Sequence, residues 1–282
     1  MKIGPFASVA AATLIVVGLM STQQPAAQTA QSRPALEPQS VKYPSGGAMI
    51  DAYIARPSGA SKSPAVIIVH DNLGANQTFQ TLARQFAAAG FVALAPHLPS
   101  RSAIPAAEPS TGHPPQRTPV SGLNFTQATQ DLKAAFAFLG QDAGVDAAKI
   151  SAVGVGWGGF AVWKLAEQTP TLYRAVVYYA GTPADDDQLR KIGAPVLGHY
   201  AEQDYLATAR VLKTKQLLGP KFTYYIYPTV PGFVGGGTGE VQPVTEEVEA
   251  NTLAGSPPGM VAAAAKQSWT RTLDFLRGQR AQ

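Results

Sequence analysis

Short runs of uninterrupted apolar residues recur along this chain, separated by stretches with helical spacing. Pro64-Ala-Val-Ile-Ile-Val-His70, Phe91-Val-Ala-Leu-Ala95 and Ile150–Val155 are the clearest. A strand with one wet face alternates apolar and polar residues, whereas a continuous run of this length marks a strand buried on both faces. Met49 to Arg56 alternates and reads as an earlier strand, and Tyr173–Ala180, Pro195–Tyr200 and Phe222–Tyr227 read as three later ones. Between them the period changes. In 76–89, Phe79, Leu82 and Phe86 fall at i, i+3 and i+7, and Gly90 supplies a stop. In 126–139 Leu132, Phe136 and Leu139 share a face. A helix carrying Phe160, Val162 and Leu165 follows Val155, and a last one over 258–277 turns Trp269, Leu273 and Leu276 inward. Strands that alternate with helices imply right-handed crossovers. The pattern predicts an α/β fold: a mainly parallel central sheet with helices on both faces.

The ends of the pattern set the domain limits. Lys2 precedes an apolar stretch, Phe6 to Met20, that is short for a bilayer span. Residues 1–30 are expected to be a signal peptide or N-terminal anchor, 31–44 a flexible linker, and 45–280 one domain of an exported protein. Residues 97–123 are rich in Pro, Ser and Gly, a long connection for a compact domain, and read as a lid or a mobile insertion.

Composition narrows the function classes. Among 282 residues, 22 Lys and Arg face 18 Asp and Glu, a net charge of +4 with no basic run, which argues against a nucleic-acid partner. Membrane contact is expected only through the N-terminal segment if it is uncleaved. Nothing in the sequence sets an oligomeric state. There is no cysteine, so no thiol nucleophile, thiolate metal site or redox motif. No glycine spacing fits a dinucleotide loop, and Gly235-Gly-Gly237 reads as a flexible loop. Asp185-Asp186-Asp187 reads as charge at a helix start rather than a metal site. Neither cofactor nor metal is expected.

The candidate chemistry centres on Gly154-Val155-Gly156-Trp157-Gly158-Gly159. A buried strand that turns sharply into a helix with the pattern G-x-nucleophile-x-G is the nucleophile elbow of α/β-hydrolases, with Ser or Cys at its tip. Here the tip is Gly156. Other strand ends carry His70-Asp71-Asn72-Leu73-Gly74, His199-Tyr-Ala-Glu-Gln-Asp204 and Tyr227-Pro-Thr-Val-Pro-Gly-Phe233.

Taken in order, these strand ends resemble the dienelactone hydrolases (carboxymethylenebutenolidases) over most of 45–280. That family reads V-H-E-N-x-G-x-N where this chain has Val69-His-Asp-Asn-Leu-Gly-Ala-Asn76. It reads A-P-D against Ala95-Pro96-His97, and G-F-C-W-G-G at the elbow. Its L-H-Y-A-E-x-D aligns with Gly198 to Asp204, and its Y-P-G-V-x-H-G-F with Tyr227 to Phe233. The resemblance implies an α/β-hydrolase acting on ester or lactone bonds. It also places the departures on the chemistry. Gly156 stands for the family Cys, Pro231 for the family His and Asp71 for a Glu. Asp204 is the one surviving triad position.

Glycine and proline side chains can neither attack an acyl carbon nor relay a proton. The expected product of these changes is an impaired hydrolase that keeps a small-molecule carbonyl or carboxylate pocket. Its backbone donors would be the N–H groups of Trp157 and Asn72, which survive any change of side chain. Two alternatives stand beside it. One is an active hydrolase with a rebuilt set, using Ser100, Ser102 or Ser121 with His70 or His199 as base. The other is a structural or interaction protein of the envelope. His70, His199 and Asp204 each also have a plain structural reading, as strand-end or turn residues. His97 is expected to pack near the 97–123 segment, and His113 to be solvated.

Overall fold

The computed structural model describes Met1, Gly4 and residues 39–59, 62–106, 119–229 and 260–279. Most of the N-terminal segment, His113, Pro231 and Gly235-Gly-Gly237 lie outside these residues. No described helix is long and apolar enough to cross a membrane.

Eight strands form one sheet: β1 (Gln39–Ser45), β2 (Ala48–Ala55), β3 (Ser63–Val69), β4 (Val92–His97), β5 (Val145–Val155), β6 (Ala175–Tyr178), β7 (Val196–Ala201) and β8 (Phe222–Tyr227). Their spatial order is β1-β2-β4-β3-β5-β6-β7-β8. The first two pairings, β1–β2 and β2–β4, are antiparallel, and every later one is parallel. Among the described residues the α-helices are α1 (Gln77–Ala88), α2 (Phe125–Gly140), α3 (Trp157–Gln168), α4 (Asp186–Arg190), α5 (Tyr205–Thr208), α6 (Val211–Leu218) and α7 (Met260–Leu276).

Two hydrophobic layers cover the sheet. Leu132 and Leu139 of α2 join Val162, Trp163 and Leu165 of α3 on one face, and Phe79 and Phe86 of α1 join Trp269 and Leu276 of α7 on the other. The uninterrupted apolar runs follow from this. In β3, Val66, Ile67, Ile68 and Val69 are all fully buried, alternate residues entering opposite layers.

After β3 the chain winds first to β4 on one side and then to β5 on the other. The carboxyl ends of β3 and β5 therefore flank the switch point, where open α/β sheets leave a crevice. The β3 end carries His70 and Asp71, and the β5 end carries Gly156.

Three local expectations need correction. Residues 39–44 do not belong to a linker, because β1 pairs along its whole length with β2, from Gln39 opposite Ile54 to Ser45 opposite Ala48. Its inward residues are Tyr43 and Ser45, and the Pro and Ser around Tyr43 masked that alternation. β4 does not end with its apolar run at Ala95 but continues through Pro96 to His97. Pro96 lies opposite Ala52, beyond the last register pair with β3 at Leu94, so its missing N–H falls at an end of the ladder. The 97–123 connection begins as a fixed turn rather than a mobile one. Arg101, in the 3-10 turn Leu98–Ser102, makes a two-pronged ion pair with the fully buried Asp131 of α2, with Nε at 3.0 Å and Nη2 closer. Asp131 also accepts from Ser45 Oγ (2.5 Å), and Arg101 donates to the Ser45 carbonyl (2.9 Å).

Candidate functional site

The elbow is built as the sequence predicts. β5 ends at Val155, Gly156 takes φ +52° and ψ −115°, and α3 starts at Trp157. Positive φ at this turn strains any residue with a Cβ and costs glycine little. The Gly156 N–H donates to the Tyr178 carbonyl (2.9 Å), and its own carbonyl accepts from Gly159 N–H (3.0 Å).

The surrounding glycines have a different reason to be there. A Cβ on Gly154 would overlap the Gly158 carbonyl, one on Gly158 would overlap the carbonyl oxygens of Val69 and His70, and one on Gly159 would overlap the Ala180 Cβ. They let α3 press against the strand ends. At Gly156 the described residues make no such crowding: among them, an added Cβ meets only the Asp71 Cβ, at 3.9 Å. A side chain fits at the tip, and the chain does not carry one.

Trp157 packs between two rings. Its indole stacks on His70 (centroids 5.9 Å apart, planes 9° apart) and on Phe125 (5.3 Å, 19°). Phe160 meets the edge of Phe125 at 6.4 Å. Phe125 and Phe160 remain 38% and 41% exposed, an apolar rim beside the elbow.

The three described histidines are committed elsewhere. His70 is fully buried; Nδ1 donates to the Asp71 carbonyl (2.6 Å) and Nε2 accepts from Leu98 N–H (3.2 Å). Burial pulls its pKa down to about 4. His97 accepts from Ala75 N–H at Nδ1 (3.1 Å) and donates from Nε2 to the Ile104 carbonyl (2.7 Å), tying the 97–123 segment to the β3–α1 turn. Its expected place beside that segment holds.

His199, also fully buried, faces α7. It pairs in register with Tyr178, meets Tyr227 Oη at Nδ1 (2.9 Å) and Thr272 Oγ1 at Nε2 (3.0 Å), and sits 4.6 Å ring to ring from Tyr178. Tyr178 Oη reaches the same Thr272 oxygen at 2.8 Å, and Arg271 donates to Tyr227 Oη (3.1 Å). Burial, with the Arg271 charge behind it, lowers the His199 pKa to about 3. Neither His70 nor His199 has a ring nitrogen left for a substrate, so the substitute-base reading finds no support in the geometry.

Asp204 serves as a helix cap. Its Oδ1 accepts from Ala207 N–H (3.0 Å) at the start of α5, and its carbonyl accepts from Thr208 Oγ1 (2.9 Å). Ser100, one of the candidate serines, spends its hydroxyl on the His97 carbonyl (2.6 Å) and accepts from Asp51 N–H (2.9 Å). Asp185 caps α4, and Asp186 pairs with Arg210 (2.7 Å) and Lys213 (2.8 Å), as a helix-start cluster should. Among the described residues no group of three or more His, Asp or Glu is placed to hold a metal.

Asp71 is the exception to this picture of spent groups. It is half-buried beside Gly156, and its Oδ1 accepts from Leu73 N–H (2.8 Å). Burial raises its pKa, partly offset by that hydrogen bond. Asn72, next along, is exposed. The Trp157 N–H lies in the first turn of α3, where backbone donors have no partner within the helix. The ends of β3 and β5 thus bring together a carboxylate, a glycine tip and backbone N–H groups, beside two exposed aromatic rings. Sequence reasoning missed Thr272 and Tyr227 as partners of His199, and the Arg101–Asp131 clamp, because no local pattern signals pairs so far apart in the chain.

The comparisons with known proteins agree with this geometry. The model of the dienelactone hydrolase family matches residues 50–279. A Methylorubrum extorquens protein that carries the name carboxymethylenebutenolidase is 28% identical over 233 residues, 77% of this chain and 80% of its own. A Salmonella typhi protein of the same name is 30% identical over 175 residues, 57% of this chain and 63% of its own. Among solved structures, a Klebsiella pneumoniae protein named as a dienelactone hydrolase superposes with a TM-score of 0.67 at 25% identity, covering 86% of this chain and 98% of the other. With the strand order, the elbow and these matches in agreement, the chain belongs to the dienelactone hydrolase family.

Proposed function

We propose that this protein is an exported member of the family that has lost the covalent route to ester hydrolysis and keeps a pocket for a small carbonyl or carboxylate ligand. One observation carries the reading: the elbow is folded as a nucleophile elbow, its tip has room for a side chain, and the tip is glycine. A thiolate or alkoxide must be present to form an acyl-enzyme, and an imidazole with a free nitrogen must be present to activate it. The three described histidines have both nitrogens engaged. The family's His position is Pro231.

What supports ligand binding is the part of the site made by backbone. The N–H groups of Trp157 and Asn72 would face a carbonyl or carboxylate oxygen, as they would the oxyanion in an active relative. Phe125 and Phe160 would cover the apolar part of the ligand. Export rests on Lys2 and the apolar stretch Phe6–Met20.

Calorimetric titration with butyrate, beside hydrolysis assays on dienelactone and p-nitrophenyl acetate, tests the reading. Butyrate is expected to bind, and turnover to remain far below that of a family member with an intact triad. Turnover that Asp204→Ala abolishes would overturn the reading, since it would show a triad at work; absence of butyrate binding would remove the pocket.

A further inference from the structure

Among the described residues, the side chain nearest the tip of the elbow is that of Asp71, and only one of its carboxylate oxygens is taken. A Cβ on Gly156 would lie 3.9 Å from the Asp71 Cβ, and the Asp71 carboxyl begins one bond beyond that contact. Asp71 Oδ1 takes the Leu73 N–H, and among the described residues no hydrogen bond is made to Oδ2. The space a nucleophilic side chain would fill can hold a water beside that oxygen. His70 is turned away, its Nε2 held by Leu98 N–H.

We propose that Asp71 is a catalytic general base that drives slow, single-displacement hydrolysis of activated esters by a water lodged at the Gly156 tip. The inference rests on the acyl-ligand pocket proposed above and adds a reaction to it. The water gives one proton to the Asp71 carboxylate while its oxygen bonds to the acyl carbon. The carbonyl π electrons move to oxygen, and the resulting anion takes the Trp157 and Asn72 N–H groups. On collapse the C–O bond to the leaving group breaks, and the alkoxide or phenoxide recovers the proton from Asp71. Water and ester become acid and alcohol, with no enzyme-bound acyl group and no outside reagent. Burial also moves Asp71 toward the pH at which carboxylates work as bases.

The test uses the full chain with p-nitrophenyl acetate, and butyrate titration as the measure of the pocket. Asp71→Asn keeps an acceptor for Leu73 N–H, so the turn is expected to stay folded, with Tm near wild type and butyrate bound at least as tightly, because a like charge beside the ligand is removed. Its kcat is expected to fall by about 100-fold or more, as loss of a general base does. Gly156→Ala, which places a methyl where the water sits, is expected to lower kcat about tenfold with butyrate still bound. The wild-type kcat should rise with pH along a single limb that Asp71→Asn removes, and product release should show no burst. A kcat in Asp71→Asn within threefold of wild type would overturn the assignment. So would butyrate binding with no turnover above buffer, which leaves the pocket standing. Loss of butyrate binding in the wild type would overturn the pocket and the base together.

Discussion

A Cβ built on Gly156 lies 3.9 Å from the Cβ of Asp71 and, among the described residues beyond its chain neighbours, meets no other atom within 4 Å. Those residues do not crowd the elbow tip. The neighbouring Gly158 is the reverse case, since its missing Cβ is what lets α3 approach the carbonyls of Val69 and His70. The contrast separates the part of the motif that builds the fold from the part that performs chemistry.

That contrast predicts opposite sensitivities. Gly158→Ala should destabilise the protein by about 3 kcal/mol or more, because a rigid backbone must move to admit the methyl. Gly156→Ala should cost about 1 kcal/mol, the strain of a side chain at positive φ. Urea unfolding midpoints of the two variants measure the difference. Equal losses would mean that the elbow is not packed as described.

Gly156→Cys should fold and still fail as a hydrolase. The thiol would stand in the right place with none of the described imidazoles free to deprotonate it, since each is bonded at both nitrogens. Dienelactone turnover at or below that of wild type is the expected outcome. A rise of 100-fold or more would show that an imidazole already faces the tip.

Stability should fall as the pH drops below about 6.5. A histidine whose folded pKa is depressed binds fewer protons in the native state than in the unfolded chain. The unfolded state therefore gains as protons become available. For His199 the window runs from the ordinary value of 6.5 down to about 3, and for His70 down to about 4. Within it, each group costs at most about 1.4 kcal/mol per pH unit. Melting temperature followed from pH 7 to pH 4 should decline, and His199→Gln should flatten the decline while lowering stability at pH 7. An unchanged slope in that variant would contradict the burial of His199.

Asp131→Ala should be among the most damaging surface-distant substitutions, at about 3–5 kcal/mol, because it strands the Arg101 guanidinium in a largely buried setting. It should also release the turn Leu98–Ser102 from β1. Faster amide exchange of Ala103 and Ile104, whose N–H groups bond within that turn, would report the release.

How much of this was legible beforehand depends on the range of the interaction. The uninterrupted runs of β3 and β4 and the stripe of α1 are local patterns, and each element lies within a few residues of its expected limits. The elbow was legible because its glycines sit at fixed spacing. β1 was not, since Pro44, Gly46 and Gly47 blur a short alternation. The histidines were only half legible. A strand end can be read from sequence, but the face that a residue shows cannot, and His199 points to Thr272, 73 positions away. The Arg101–Asp131 pair is invisible for the same reason, joining a turn to a helix 30 positions on.

The proposed loss of covalent catalysis is tested most directly by intact-protein mass spectrometry during incubation with p-nitrophenyl acetate, quenched in acid at successive times. The protein should keep its unmodified mass at the elbow throughout, with any acetylation spread over surface lysines. A single acetyl group that appears before steady state, maps to one serine or threonine of the crevice and disappears as substrate is consumed would contradict the account.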